Sequence, residues 1–135
     1  MDRIAFKDGK IYTLDMKGGS PVYGEEIIEI EGKKFREWIP WRSKLAALIR
    51  RMGGHLPQLE GPVLYLGAAQ GTTVSHISDL IPDSVIYAVE FSPTAYRKLA
   101  SIARERGNIV PILEDAFHPE RFLPMVGRVN TLYQD

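Results

Sequence analysis

Residues 1–36 alternate apolar and polar positions in short runs, Ile4-Ala5-Phe6, Ile11-Tyr12-Thr13-Leu14 and Glu26-Ile27-Ile28-Glu29-Ile30, with turn signals at Asp8-Gly9, Gly18-Gly19 and Glu31-Gly32. A period of two punctuated in this way predicts a small antiparallel sheet. From Pro40 the period changes. Trp41, Leu45, Leu48, Ile49 and Met52 fall on one face of a helix over 40–52, which Gly53-Gly54 terminates. Val63-Leu64-Tyr65-Leu66 is a continuous apolar run opening into glycine, the pattern of a strand buried on both faces of a parallel sheet. The helix after it is capped by Thr72 or Thr73, carries Val74, Ile77, Leu80 and Ile81, and breaks at Pro82-Asp83. Val85–Val89 is the next strand, and a helix follows with Ser92 as its cap, Pro93 at its first position and Gly107 as its stop. Ile109–Leu113 makes a third strand, which Pro111 pushes toward a sheet edge. A short helical segment over 119–125 precedes a fourth strand over 129–133.

Strands alternating with helices imply an α/β doubly wound sheet of about four parallel strands in the order 3-2-1-4, joined by right-handed crossovers. The expected division is a small β domain over 1–36 and a Rossmann-like domain over 37–135. No stretch approaches the roughly 20 apolar residues of a membrane span, and Met1-Asp2-Arg3 opens no signal-peptide run, so the expectation is a soluble, intracellular protein. Cysteine is absent, which excludes disulfides, thiolate metal sites and a thiol nucleophile; nothing in the pattern asks for a metal.

Seventeen basic residues balance seventeen acidic ones, which argues against a protein that grips nucleic acid by bulk charge. Locally the balance breaks: Lys33, Lys34, Arg36, Arg42, Lys44, Arg50 and Arg51 face a single anion, Glu37. A solvated helix face and a phosphate-facing patch both account for that run.

The candidate chemistry lies at the strand ends. Gly67-Ala68-Ala69-Gln70-Gly71-Thr72-Thr73 joins strand to helix, where a ligand must approach bare backbone. A dinucleotide fingerprint wants three glycines, and Ala69 and Thr72 stand at two of those places, which disfavours a nicotinamide-dependent oxidoreductase. A tight turn with no ligand remains open on this motif alone. Glu90, 23 residues after Gly67, ends the second strand where an acid accepts hydrogen bonds from a cofactor ribose. Phe91 offers a ring for a purine face, and Asp115, ending the third strand, an acceptor for its exocyclic amine. Taken singly, these three are also readable as a helix cap, an apolar contact and a solvent carboxylate.

Leu64 through His76, Tyr87-Ala88-Val89-Glu90-Phe91-Ser92, and Asn108-Ile109 with Glu114-Asp115-Ala116 resemble the fibrillarin family almost residue for residue. Phe35-Arg36-Glu37-Trp38 and Trp41-Arg42-Ser43-Lys44-Leu45-Ala46-Ala47 are similar to that family's entry to its methyltransferase domain. The resemblance implies a guide-directed transfer of the methyl group of S-adenosyl-L-methionine to a ribose 2′-hydroxyl of ribosomal or transfer RNA. It implies a box C/D ribonucleoprotein with a Nop-type scaffold protein, a kink-turn-binding ribosomal-type protein, a guide RNA and a target RNA. The lack of a Gly/Arg-rich N-terminal tail makes the chain similar to archaeal rather than eukaryotic members, which implies a cytoplasmic location, with a nucleolar one as the eukaryotic alternative.

By the same resemblance the methionine end of the cofactor lies near Gly67, Ala69, Gly71, Thr72 and Thr73, the ribose on Glu90, and the adenine against Phe91, Asp115 and Ala116. The catalytic lysine matches Lys44 and the catalytic aspartate Asp135. Gln70 departs from the small polar residue usual there. The family's second catalytic lysine and its histidine lie on later strands, so these residues form part of a longer protein or have their outer strand covered, and the alternative function is a cofactor-holding component without turnover. None of the histidines replaces the absent one: His55 reads as a loop residue, His76 as packed or hydrogen-bonded, and His118 as a cap.

Overall fold

Two tight turns close the first sheet. In the computed structural model, which describes residues 2–18 and 20–135, β1 (Ile4–Lys7), β2 (Lys10–Leu14), β3 (Ile27–Ile30) and β4 (Lys33–Glu37) pair antiparallel in the order β1-β2-β4-β3. Asp8 and Gly9, then Glu31 and Gly32, hold positive φ between 51° and 80°, the two-residue turn whose twist matches that of the flanking strands. The turn expected at Gly18-Gly19 falls partly on Gly19, outside the described residues.

β4 corrects the reading of the cationic run. Residues 33–37 are a strand, and Arg36 is fully buried rather than solvated. Its Nε donates to Glu25 at 2.7 Å, one terminal nitrogen to Asp79 at 2.8 Å and the other to the Ser75 hydroxyl at 2.8 Å. Arg106 reaches the other Asp79 oxygen. A buried charge survives only when paired and hydrogen-bonded, and these partners come from three separate stretches of chain, the segment at Glu25, the helix carrying Ser75 and Asp79, and the helix carrying Arg106. The network fastens the small sheet to α2 (Thr72–Leu80) and α3 (Pro93–Arg106).

His76 on α2 completes this layer. Its ring stacks on Trp38 at 5.0 Å between centroids and is fully buried. Thr13 donates its one hydroxyl proton to Asp79, so it accepts from His76 Nδ1 at 2.8 Å; the Tyr23 hydroxyl stands between Nε2, at 2.7 Å, and the Glu37 carbonyl oxygen, at 2.9 Å. Burial first, then the nearby Arg36 and Arg106, push the imidazole well below its ordinary pKa and keep it neutral.

The second sheet is parallel, in the order β7-β6-β5-β8, with β5 over Val63–Leu66, β6 over Ile86–Glu90, β7 over Ile109–Leu113 and β8 over Thr131–Gln134. This is the expected order, with β6 and β8 starting one and two residues later than the pattern placed them. Pro111 does sit on the outer strand β7. Side chains alternate across the sheet: Val63, Tyr65, Ile86, Ala88 and Ile109 join the core with α1 (Lys44–Arg51), α2 and α3, while Leu64, Val89 and Ile112 pack on Phe122 and Val126. The segment over 119–125 resolves into a 3₁₀ turn, Pro119–Arg121, and α4 (Leu123–Val126). His118 precedes that turn, but its side chain turns to Glu120 instead of capping.

Two further expectations fail for reasons of packing. A 3₁₀ turn (Pro40–Arg42) breaks the helix expected from residue 40, and of its supposed apolar face only Leu45 and Ile49 are buried; Trp41, Leu48 and Met52 are exposed. Neither Thr72 nor Thr73 caps α2. Gly71 does so in a left-handed conformation with no side-chain bond. No helix among the described residues is long and apolar enough to cross a membrane.

Candidate active site

The connection reverses direction across the sheet between β5 and β8, and ligands of such sheets bind beyond the carboxyl ends at that switch point. A crevice of about 470 Å³ lies there, lined by Gly67, Glu90, Phe91, Asp115, Ala116 and Asp135 among others. That is within the size range of small-molecule sites. The ends of all four parallel strands therefore converge on one cavity, as the ribose- and purine-binding reading requires.

Gly67 has φ of 82°, and a Cβ there would lie 3.2 Å from the Asp135 carbonyl oxygen. The bare backbone at this point keeps the crevice open. Ala69 adopts φ of 50°, a conformation that costs a non-glycine residue about 1–2 kcal/mol. Its N–H donates to Glu90 Oε1 at 2.7 Å, while Ser92 N–H donates to Glu90 Oε2 at 2.9 Å. The cap of α3 itself is Ser92, which accepts from the Ala95 N–H; Glu90 ties the loop to the segment entering that helix while lining the crevice. Each oxygen keeps a second lone pair, the complement of a ribose diol. Phe91 is 68% exposed, an open ring beside the crevice. Asp115 accepts from the Phe117 N–H at 2.9 Å, so one oxygen is held in place.

A second crevice, of about 620 Å³, adjoins the first and shares Asp135 with it. Lys44, Tyr65, Ala69, Thr72 and Thr73 line this side. Lys44 Nζ meets Asp135 Oδ1 at 2.9 Å, so the two side chains expected to act on the acceptor stand together, 91 positions apart in sequence. The hydrogen bond and charge of Asp135 hold the Lys44 ammonium above its ordinary pKa. Gly71 lies elsewhere: it lines neither crevice, and a Cβ on it would meet Leu99 and Ile102 at 3.1 Å, which makes it a packing position against α3.

Two contributors were not singled out from sequence. Ser43 Oγ caps α1 through the Ala46 N–H, accepts the Trp38 indole N–H at 3.0 Å and shares a proton with Thr73 Oγ1 at 2.7 Å. Tyr65 donates to Asp135 Oδ2 at 3.5 Å and stacks on Tyr133 at 4.6 Å; burial pushes its phenol well above its ordinary pKa. A tyrosine inside an apolar strand was the available signal, since a buried hydroxyl needs a partner.

The fibrillarin family model matches residues 3–135. The chain is 49% identical to the Archaeoglobus fulgidus fibrillarin-like rRNA/tRNA 2′-O-methyltransferase over 137 residues, covering 100% of this chain and 61% of that protein. Among solved structures it is similar to Aeropyrum pernix fibrillarin with natively bound S-adenosyl-L-methionine, with a TM-score of 0.89 and 42% identity over 98% of this chain and 64% of that one. A fibrillarin/Nop5p complex gives a TM-score of 0.84 and 44% identity, over 98% of this chain and 61% of its match. The chain spans 39% to 67% of the length of the curated relatives it matches. By this agreement of sequence and fold along nearly its whole length, the chain belongs to the fibrillarin family.

Proposed function

We propose that these residues carry the S-adenosyl-L-methionine site and one catalytic pair of a guide-directed RNA ribose 2′-O-methyltransferase. The observation that carries the reading is the convergence of Gly67, Glu90, Phe91 and Asp115 on one crevice that shares Asp135, ion-paired to Lys44, with the crevice beside it. The residues fit the cofactor, since the cradle at Gly67 is one a Cβ would fill and Glu90 retains acceptor capacity for two hydroxyls. When bound, S-adenosyl-L-methionine supplies a methyl group made electrophilic by its sulfonium.

Lys44, kept as a cation, orients the acceptor oxygen and does not take its proton. Asp135 is the proton acceptor: as the oxygen–carbon bond forms and the carbon–sulfur bond breaks, the hydroxyl proton becomes strongly acidic and passes to the carboxylate. Alignment supplies much of the acceleration in such an in-line transfer. The partners in this reading are a Nop-type scaffold, a kink-turn-binding ribosomal-type protein, a box C/D guide RNA and its target RNA, in a cytoplasmic setting. In this reading the small sheet over 1–36 is a β domain appended to the cofactor-binding domain over 37–135.

A second reading, cofactor holding without turnover, is favoured by Lys44, whose side chain is 81% exposed. An unshielded ion pair is weak in water, and transfer chemistry gains from a dry site. Calorimetry with S-adenosyl-L-methionine against a nicotinamide dinucleotide tests the crevice; binding of the latter alone sinks the proposal. Labelled methyl incorporation into guide-paired RNA, with the partner proteins supplied, separates the two readings.

A further inference from the structure

Trp41 is 76% exposed. A single open apolar side chain is ordinary, but this one stands between two cavities. Its ring walls the crevice that holds Lys44 and Asp135, and it also walls an open groove shared with Arg50 and Arg51. From Trp38 to Leu59 the sequence carries Arg42, Lys44, Arg50 and Arg51 and no carboxylate. Among the described residues Lys44 alone of these four forms an ion pair, and Arg42 lies 5.2 Å over the Tyr23 ring. Cations left unneutralised around an exposed indole suit a polyanion with flat aromatic faces. An acidic protein surface would satisfy the charge, but continuity with the acceptor pair favours the strand that brings the acceptor.

We propose that Trp41 is a stacking platform for a base next to the ribose being methylated, with Arg50 and Arg51 holding the phosphates that follow. The inference rests on the RNA-methyltransferase reading above. Lys44 and the two arginines are separated by about 9–10 Å of helical rise, the length of about three stacked nucleotides. The track therefore leads from the reaction pair across the indole to the arginine groove.

The sequence contains two tryptophans, and Trp38 is fully buried, so quenching by an added oligonucleotide reads Trp41. The full chain is titrated with a single-stranded RNA of about a dozen nucleotides at low salt, by fluorescence and by anisotropy of labelled RNA. Wild type should quench, Trp41→Ala should bind ~5-fold or more weakly, and Trp41→Phe should restore most of the affinity. In R50Q/R51Q the slope of log affinity against log salt should become shallower by about 1.4. Absence of RNA binding, or binding with unquenched fluorescence and undiminished affinity in Trp41→Ala, overturns the platform and leaves the ring to a protein partner. Cofactor calorimetry on the same wild-type sample is the separate control, because failure there strikes the parent reading and not the platform.

Discussion

Acid should unfasten this protein through one residue, His76. The imidazole is neutral and buried, its pKa well below the ordinary 6.5, whereas in the unfolded chain it recovers that value. A depressed folded pKa means that below pH 6.5 the unfolded state binds more protons than the native one. Stability is thus fully present above 6.5 and falls as the pH drops, by up to about 1.4 kcal/mol per unit. Between pH 7.5 and 5.0 the loss is about 2 kcal/mol, a large share of the ~5–15 kcal/mol typical of a domain. Glu25, whose carboxyl is held below its ordinary 4.5 by the Tyr23 and Val22 N–H groups and Arg36 against the opposing effect of burial, loses its contribution only at lower pH. The window from 6.5 to 5.0 therefore isolates the histidine. Urea unfolding followed by tryptophan fluorescence is the assay, since Trp38 stacks on the imidazole. His76→Phe should be less stable at pH 7.5 by about 0.5–1.5 kcal/mol for each of the two hydrogen bonds it removes, since Thr13 stays bonded to Asp79 and Tyr23 to the Glu37 carbonyl, and should lose most of the pH slope. Stability that stays flat from pH 7.5 to 5.0 in wild type, or an identical slope in His76→Phe, refutes the reasoning.

Gly71→Ala should lower stability by about 2–3 kcal/mol, from left-handed strain and crowding against Leu99 and Ile102; an unchanged urea midpoint counts against it. Glu90→Gln removes the charge that two backbone N–H groups and the expected ribose share, so cofactor affinity measured by calorimetry should fall roughly 10–100-fold. Asp135→Asn should reduce methyl incorporation about 10²–10⁴-fold while cofactor affinity changes little, and wild-type turnover in that variant removes the carboxylate from the chemistry.

The central strands β5 and β6 were readable because both their faces are covered, which leaves apolar runs such as Val63–Leu66, whereas the outer strands expose Val110, Leu113 and Leu132. The loop at Gly67, the acid at Glu90 and the carboxylate at Asp115 were readable because strand ends of such a sheet open on one side. Strand β4 escaped notice because Lys33-Lys34-Phe35-Arg36-Glu37 looks solvated, and only partners distant in sequence make Arg36 an interior residue. The outer face of α1 was misjudged for a related reason: a helical period shows which residues share a side, not how wide the covered stripe is. Gly71 was grouped with the ligand loop, although the need for glycine there comes from α3 pressing from behind.

Ser43 has a mechanical consequence. One oxygen is common to the start of the lysine-bearing helix, the indole that leans on the histidine layer, and the threonine at the mouth of the loop. The helix carrying Lys44 and the loop at Thr73 are consequently keyed to a single peg and cannot drift independently, so the spacing of the crevice walls is set by folding before any ligand arrives.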